Sequence, residues 1–188
     1  SHQEESILKL SEKNNVVLAT GTGSGKTESF LFPIIDHLIH EIENKTHHNE
    51  VYALILYPMN ALVNDQLKRI REYLADFPEI TFGRYIGETE SKYRDALAKH
   101  RDRYNQDPLL NELISRDQMK ETPPNILITN YSMLEFLLLR PNDSNLFNGN
   151  SWKYIVLDEA HIYDGAVGQE CSLLIKRLKD RVFRKHTQ

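Results

Sequence analysis

The chain of 188 residues is 40% hydrophobic and 27% charged, with 8 Gly and 7 Pro. That balance describes one globular domain with a sizeable core and excludes disordered, collagen-like and fibrous classes. A formal charge of −4 argues against holding nucleic acid by a bulk positive field and leaves that task to a local patch.

The N-terminus "SHQEESILKL" has neither the basic region nor the apolar stretch of a signal peptide and does not begin with Met, so the chain is expected to be a piece of a longer one. "NVVLAT" (Asn15 to Thr20) reads as the first buried strand, and a Gly-rich turn follows it. Leu31, Ile34, Leu38 and Ile42 then fall at helical spacing, with Pro33 close enough to the first turns to be a tolerated bend. A second strand, "VYALILY" (Val51 to Tyr57), precedes a second helix marked by Val63, Leu67, Ile70 and Leu74. "ITFGRYI" (Ile80 to Ile86) is a third strand. From about Glu88 to Glu121 the sequence is dense in charge of both signs, with partial helical spacing at Tyr93, Leu97, Leu109, Leu110 and Leu113. It reads as a solvated helical insertion closed by Pro123 and Pro124. "NILIT" (Asn125 to Thr129) and "YIVLDE" (Tyr154 to Glu159) are further strands, and Val167, Cys171, Leu174, Leu178 and Val182 mark a third helix. Continuous apolar strands alternating with amphipathic helices predict a doubly wound α/β domain with a mainly parallel sheet. No apolar run approaches the roughly 20 residues of a membrane span. The single Cys171, assigned to the core, excludes an internal disulfide and fits a reducing, cytoplasmic setting.

Two segments carry chemistry. In "TGTGSGKT" the glycines Gly21, Gly23 and Gly25 remove side chains that would block close approach, so backbone N–H groups at a helix start can cradle phosphate. Lys26 reaches the terminal phosphates and the Thr27 hydroxyl suits Mg2+, which makes the whole stretch Thr20, Gly21, Thr22, Gly23, Ser24, Gly25, Lys26 and Thr27 a nucleoside triphosphate site. The strict phosphate-loop pattern has one mismatch, because its first glycine falls at Thr20. The ordinary alternative is a Gly-rich hairpin with an accidental lysine. In "YIVLDEAH" an apolar strand delivers Asp158 and Glu159 at its carboxyl end, the edge where open α/β sheets bind ligands and where the phosphate loop is expected. Asp158 is assigned to hold Mg2+ through water and Glu159 to act on the attacking water. A plain strand ending in a charged turn is the alternative.

Together these segments resemble the first RecA-type motor domain of superfamily 2 DEAD/DEAH-box helicases, P-loop NTPases in which the first glycine is often absent. "HQEESI" is similar to the remnant of that family's glutamine motif, which implies that Gln3 reads the adenine edge of ATP. "YPMNALVNDQ" (Tyr57 to Gln66) resembles motif Ia, "ITNYSML" (Ile128 to Leu134) motif Ib, and "YIGET" (Tyr85 to Thr89) the short segment between them. "DEAHIYDGAVGQE" with "YPMNAL" is most similar to the Lhr-like (large-helicase-related) branch. The resemblance implies that Pro58, Asn60, Thr129 and Asn130 contact the phosphodiester backbone of nucleic acid, DNA before RNA. It also implies that His161 couples the nucleotide site to a second RecA-type domain. Arg69 and Arg84 are read as solvated surface residues. A motif III of the "SAT" type does not occur and the second motor domain is not in this chain, so the chain alone is expected to hydrolyse ATP poorly, since the arginines such a domain supplies are worth about a thousandfold or more.

The leading expectation is the motor domain of a nucleic-acid-dependent ATPase or helicase, with other subunits of a complex as possible partners. A duplex DNA translocase of a restriction or phage-defence complex and a non-enzymatic nucleotide-binding scaffold use the same residues. A small-molecule kinase is disfavoured by "DEAH" and "YPMNAL".

Overall fold

The computed structural model describes residues 15–17, 25–140 and 145–183, in two compact units, Ser1–His47 and His48–Gln188. In the first unit the described residues include one long helix, α1 (Lys26–Glu43), which begins at Gly25, whose left-handed φ of 78° favours glycine. The Gly25 carbonyl accepts bonds from the Ser29 N–H (3.2 Å) and the Ser29 hydroxyl (3.0 Å), which tightens the first turn. Pro33 lies inside α1 without ending it, and Leu31, Ile34, Ile35 and Leu38 form its buried stripe. Of the expected strand Asn15–Thr20, residues 15–17 carry no strand pairing, and Leu18 to Thr20 lie outside the described residues.

The second unit is built on five strands, all parallel among the described residues: β1 (Ala53–Tyr57), β2 (Phe82–Tyr85), β3 (Glu112–Leu113), β4 (Ile126–Asn130) and β5 (Tyr154–Leu157). Their order is β3-β2-β4-β1-β5. The helices are α2 (Asn60–Leu74), α3 (Tyr93–Tyr104), α4 (Arg116–Glu121), α5 (Tyr131–Leu139) and α6 (Gly165–Phe183). β1 and β4 are buried at every position, which is why they read as continuous apolar runs. Leu54, Leu56 and Leu127 meet Leu134 and Leu137 of α5 and Leu174, Leu178 and Val182 of α6 in one core. Each such fully buried leucine contributes roughly 1.5–3 kcal/mol. The alternate side chains Ile55, Ile126 and Ile128 point to the opposite face and are equally buried, while α2 packs on β1 and β4. Cys171 is buried as expected, and burial pushes its thiol pKa up. Val167, placed on the same stripe, is 47% exposed. Among the described residues no helix is long and apolar enough to cross a membrane.

The charged segment 88–121 is not the solvated helical excursion the sequence suggested. Its helix α3 is exposed on most faces, with Ala96 and His100 buried, but the chain then returns to add β3 parallel to β2. Polar groups make that possible. The Asn111 amide nitrogen lies 2.9 Å from Leu74 O at the end of α2, 2.9 Å from Phe77 O and 3.0 Å from Ile80 O, tying the turn between α2 and β2 to the residue before Glu112. The Glu112 carboxylate, only 4% exposed, meets Arg71 Nε at 3.1 Å and His100 Nε2 at 3.4 Å and accepts from the Leu109 N–H at 3.3 Å. Ser115 and Gln118 form a capping box that starts α4. A second polar pin, Asn125, takes the Thr81 N–H and hydroxyl on its oxygen (2.9 and 3.1 Å) and donates to His48 O (3.0 Å) and Glu50 O (3.1 Å).

Candidate functional site

Because the sheet is parallel, its strands end together. Tyr57 pairs with Asn130 and Leu56 with Leu157, so Pro58, Tyr131 and Asp158 leave the sheet at one carboxyl edge, close to the end of β2 at Tyr85. This is the edge at which open parallel sheets bind ligands.

At the end of β5 the Asp158 N–H donates to Leu56 O at 3.1 Å, carrying the ladder one residue past the strand. The Asp158 carboxylate accepts the Glu159 N–H at 2.9 Å. Glu159 has φ 51°, a left-handed conformation unusual for a side chain of its size, and such backbone costs about 1–3 kcal/mol and clusters at functional turns. It opens a short 3-10 turn, Ala160–Ile162, closed by the Ile162 N–H on Glu159 O at 3.0 Å. Local geometry therefore fixes both carboxylates on one tight turn. His161 is exposed, with Nδ1 3.3 Å from Glu159 Oε2. The buried Tyr57 hydroxyl is held above its ordinary pKa by burial and then by the Asp158 charge. Tyr163 and Asp164, expected to form a turn with Gly165, instead link the 3-10 turn directly to α6, whose first residue is Gly165 (φ 50°) and whose Gly168 N–H donates to Asp164 O at 2.9 Å.

Of the expected phosphate-binding residues, Gly25, Lys26 and Thr27 are described; Gln3 and Thr20, Gly21, Thr22, Gly23 and Ser24 lie outside the described residues. Lys26 is the first residue of α1, and Thr27 is 3% exposed. Among the described residues no cluster of three His, Cys, Asp or Glu could cage a metal. The Thr27 hydroxyl of the first unit and, separately, the Asp158 carboxylate of the second are each hard oxygen donors of the chemical kind that Mg2+ prefers.

A cleft of about 520 Å3 opens at the same carboxyl edge, with Pro58, Met59 and Asn60 on one wall and Asn130, Met133 and Phe136 on another. Asn130 holds both sides: its side-chain oxygen caps α5 by accepting the Met133 N–H at 2.7 Å, and its amide donates to the Asn60 side-chain oxygen. The Asn60 amide in turn donates to Glu88 Oε1 at 3.4 Å. Thr129 does not line the cleft. It is fully buried and its hydroxyl donates to Tyr85 O at 2.6 Å, bracing β4 to β2 beneath the cleft. Arg84 is also not a solvated residue: it is half-buried, donates to the Asn64 side-chain oxygen, and has its pKa lowered mainly by burial and then by the Arg103 charge. Met59 and Met133 also line the cleft from within the two motifs, where no contact was assigned to them, and Phe136 and Arg116 line it from outside the motifs. The asparagine at position 130, an N-cap residue type, was the available signal that a helix carrying Met133 and Phe136 starts there, while the position of Arg116 beside Gly87 depends on the return of segment 88–121.

The sequence matches the DEAD/DEAH box helicase family over residues 1–188. It is 33% identical over a 271-residue alignment to the Druantia protein DruE of Escherichia coli (strain UMEA 4076-1), covering 96% of this chain and 15% of that protein. To the ATP-dependent helicase Lhr-Core of Methanocaldococcus jannaschii it is 31% identical over 177 residues, covering 94% of this chain and 19% of that protein. Among solved structures, the DUF1998 helicase MrfA bound to DNA superposes with a TM-score of 0.73 at 25% identity, over 100% of this chain and 23% of that one. The chain thus spans less than a quarter of the length of these relatives. It belongs to the DEAD/DEAH box helicase family, and its α/β fold is the RecA-type motor domain of that family.

Proposed function

We propose that the protein uses this domain as an ATP-driven motor on nucleic acid, DNA before RNA. The observation that carries the reading is the shared sheet edge: the Asp158–Glu159 turn and the cleft of Asn60 and Asn130 leave the ends of neighbouring strands β5, β1 and β4. A change at one is thus felt close to the other, as a motor requires. In this reading Gln3 reads the adenine edge and the backbone from Thr20 to Gly25 cradles the phosphates of ATP. Lys26 neutralises the terminal phosphates, and Thr27 and Asp158 hold Mg2+, which supplies charge neutralisation when bound. Glu159, set in its left-handed turn, orients and polarises the attacking water. His161, exposed and paired to Glu159, carries the signal to a second RecA-type domain of the whole protein, with other subunits as further partners.

Pro58, Asn60 and Asn130 meet the nucleic-acid backbone, and Thr129 serves beneath them as a brace. DNA is preferred because the MrfA structure that this chain resembles is bound to DNA. The test is ATP hydrolysis by the full-length protein with and without single-stranded DNA, duplex DNA and RNA. Stimulation by DNA is expected; duplex stimulation without strand separation would identify a translocase, and stimulation by RNA alone would change the track. Bound ATP with no response to any polymer would overturn the motor reading in favour of a nucleotide-binding scaffold.

A further inference from the structure

The cleft has one cationic side chain among its described lining residues, and that side chain comes from the segment the sequence marked as a solvated insertion. Arg116, the first residue of α4, donates from one terminal nitrogen to Gly87 O (2.8 Å) and Ile86 O (3.2 Å). Its guanidinium lies 5.5 Å from the centre of the Tyr85 ring. The side chain is thereby fixed in the cleft wall, and a pre-oriented guanidinium loses little freedom when it binds an oxyanion. Acidic neighbours are already occupied: Asp117 pairs with Lys92 at 2.9 Å, and Glu88 is engaged by Arg103 at 3.5 Å and Asn60 at 3.4 Å. Met59 and Phe136, 50% and 43% exposed, line the same cleft, and Arg140 lies 4.4 Å from the centre of the Phe136 ring. A fixed cation and a partly exposed aromatic ring in one cleft match a single strand, which presents a phosphate and an unstacked base together.

We propose that Arg116 is a phosphate-binding residue of the nucleic-acid cleft, contributed by segment 88–121, and that Phe136 in the same cleft receives a base of a single strand. This rests on the reading that the cleft takes nucleic acid.

The experiment is binding of a fluorescent single-stranded DNA to the full-length protein at several salt concentrations, for the wild type, Arg116→Gln, Arg116→Lys and Phe136→Ala, with thermal unfolding to confirm folding. Arg116→Gln should weaken binding several-fold and flatten the slope of log affinity against log salt by about 0.7 to 1. Arg116→Lys, which keeps the charge but not the paired carbonyl bonds, should keep most of the slope. Equal losses in both Arg116 variants with an unchanged slope would overturn the proposal and make Arg116 only a brace for the Ile86–Gly87 turn. Normal binding by Arg116→Gln with weakened binding by Phe136→Ala would also overturn it while leaving the cleft reading intact. If no cleft variant alters binding, the cleft reading itself fails, and the role of Arg116 with it.

Discussion

Glu112→Gln tests whether segment 88–121 is part of the folded core. The substitution keeps the side-chain volume and one acceptor oxygen but removes a negative charge that is 4% exposed and faces Arg71 (10% exposed) and His100 (5% exposed). Arg71 then stays buried without its counter-ion, over the Tyr104 ring at 4.7 Å. Breaking a buried pair by removing one partner costs about 3–5 kcal/mol, and the retained acceptor puts this variant near the lower end. For a domain of this size about 3 kcal/mol corresponds to a fall in Tm of roughly 6–12 °C. Replacing both charges, in Arg71→Met with Glu112→Leu, should cost far less, because a matched apolar pair needs no counter-ion. Urea unfolding of the 188-residue chain, followed by circular dichroism, measures both. A loss below about 1 kcal/mol for Glu112→Gln would refute the reasoning and return the segment to a solvated excursion.

Asn125→Asp should destabilise the domain by about 2–4 kcal/mol, because the carbonyls of His48 and Glu50 lose their donor and face a carboxylate instead; the same urea series reads it. Gly168→Ala should lower stability by about 1–3 kcal/mol, although alanine normally favours a helix, since the added Cβ would stand 2.6 Å from the Tyr163 carbonyl oxygen. A neutral or stabilising result in thermal unfolding would show that this turn yields. Burial pushes the Glu50 carboxyl up, but bonds from the Ser151 hydroxyl and the Asn150 and Ser151 N–H groups outweigh it and hold the pKa below the ordinary 4.5. Its stabilisation is therefore complete above pH 4.5 and is lost as pH falls through the lower folded value. The stability gap between wild type and Glu50→Gln should close on acidification, and a gap that is constant across that window would contradict the assignment.

The long apolar strands were legible because burial on both faces leaves a continuous run, as in "VYALILY" and "NILIT". β3 was not, because two residues carry no pattern and one of them, Glu112, is charged; its burial depends on Arg71 and His100, which are distant in sequence. Helix α5 was missed for a different reason. "YSMLEFLLL" is apolar around nearly its whole circumference, with Phe136 and Leu139 exposed, so it lacks the stripe that marked the other helices. The acidic turn after β5 was legible as chemistry because its residues are consecutive, but the left-handed backbone of Glu159 was not. Asn60 and Asn130 were named from motifs, and the structure brings them into contact. Thr129, named with them, turned inward because side chains alternate along β4, an outcome that depends on which face of the strand meets the cleft.

The central claim is that Glu159 acts on the water of a nucleic-acid-stimulated ATP hydrolysis. The most direct measurement compares ATP affinity and hydrolysis rate in the full-length wild type and Glu159→Gln, both with stimulating polymer. The account expects unchanged ATP affinity and a rate lower by at least about 100-fold, the usual worth of a positioned general base. Hydrolysis by the variant near the wild-type rate would contradict it.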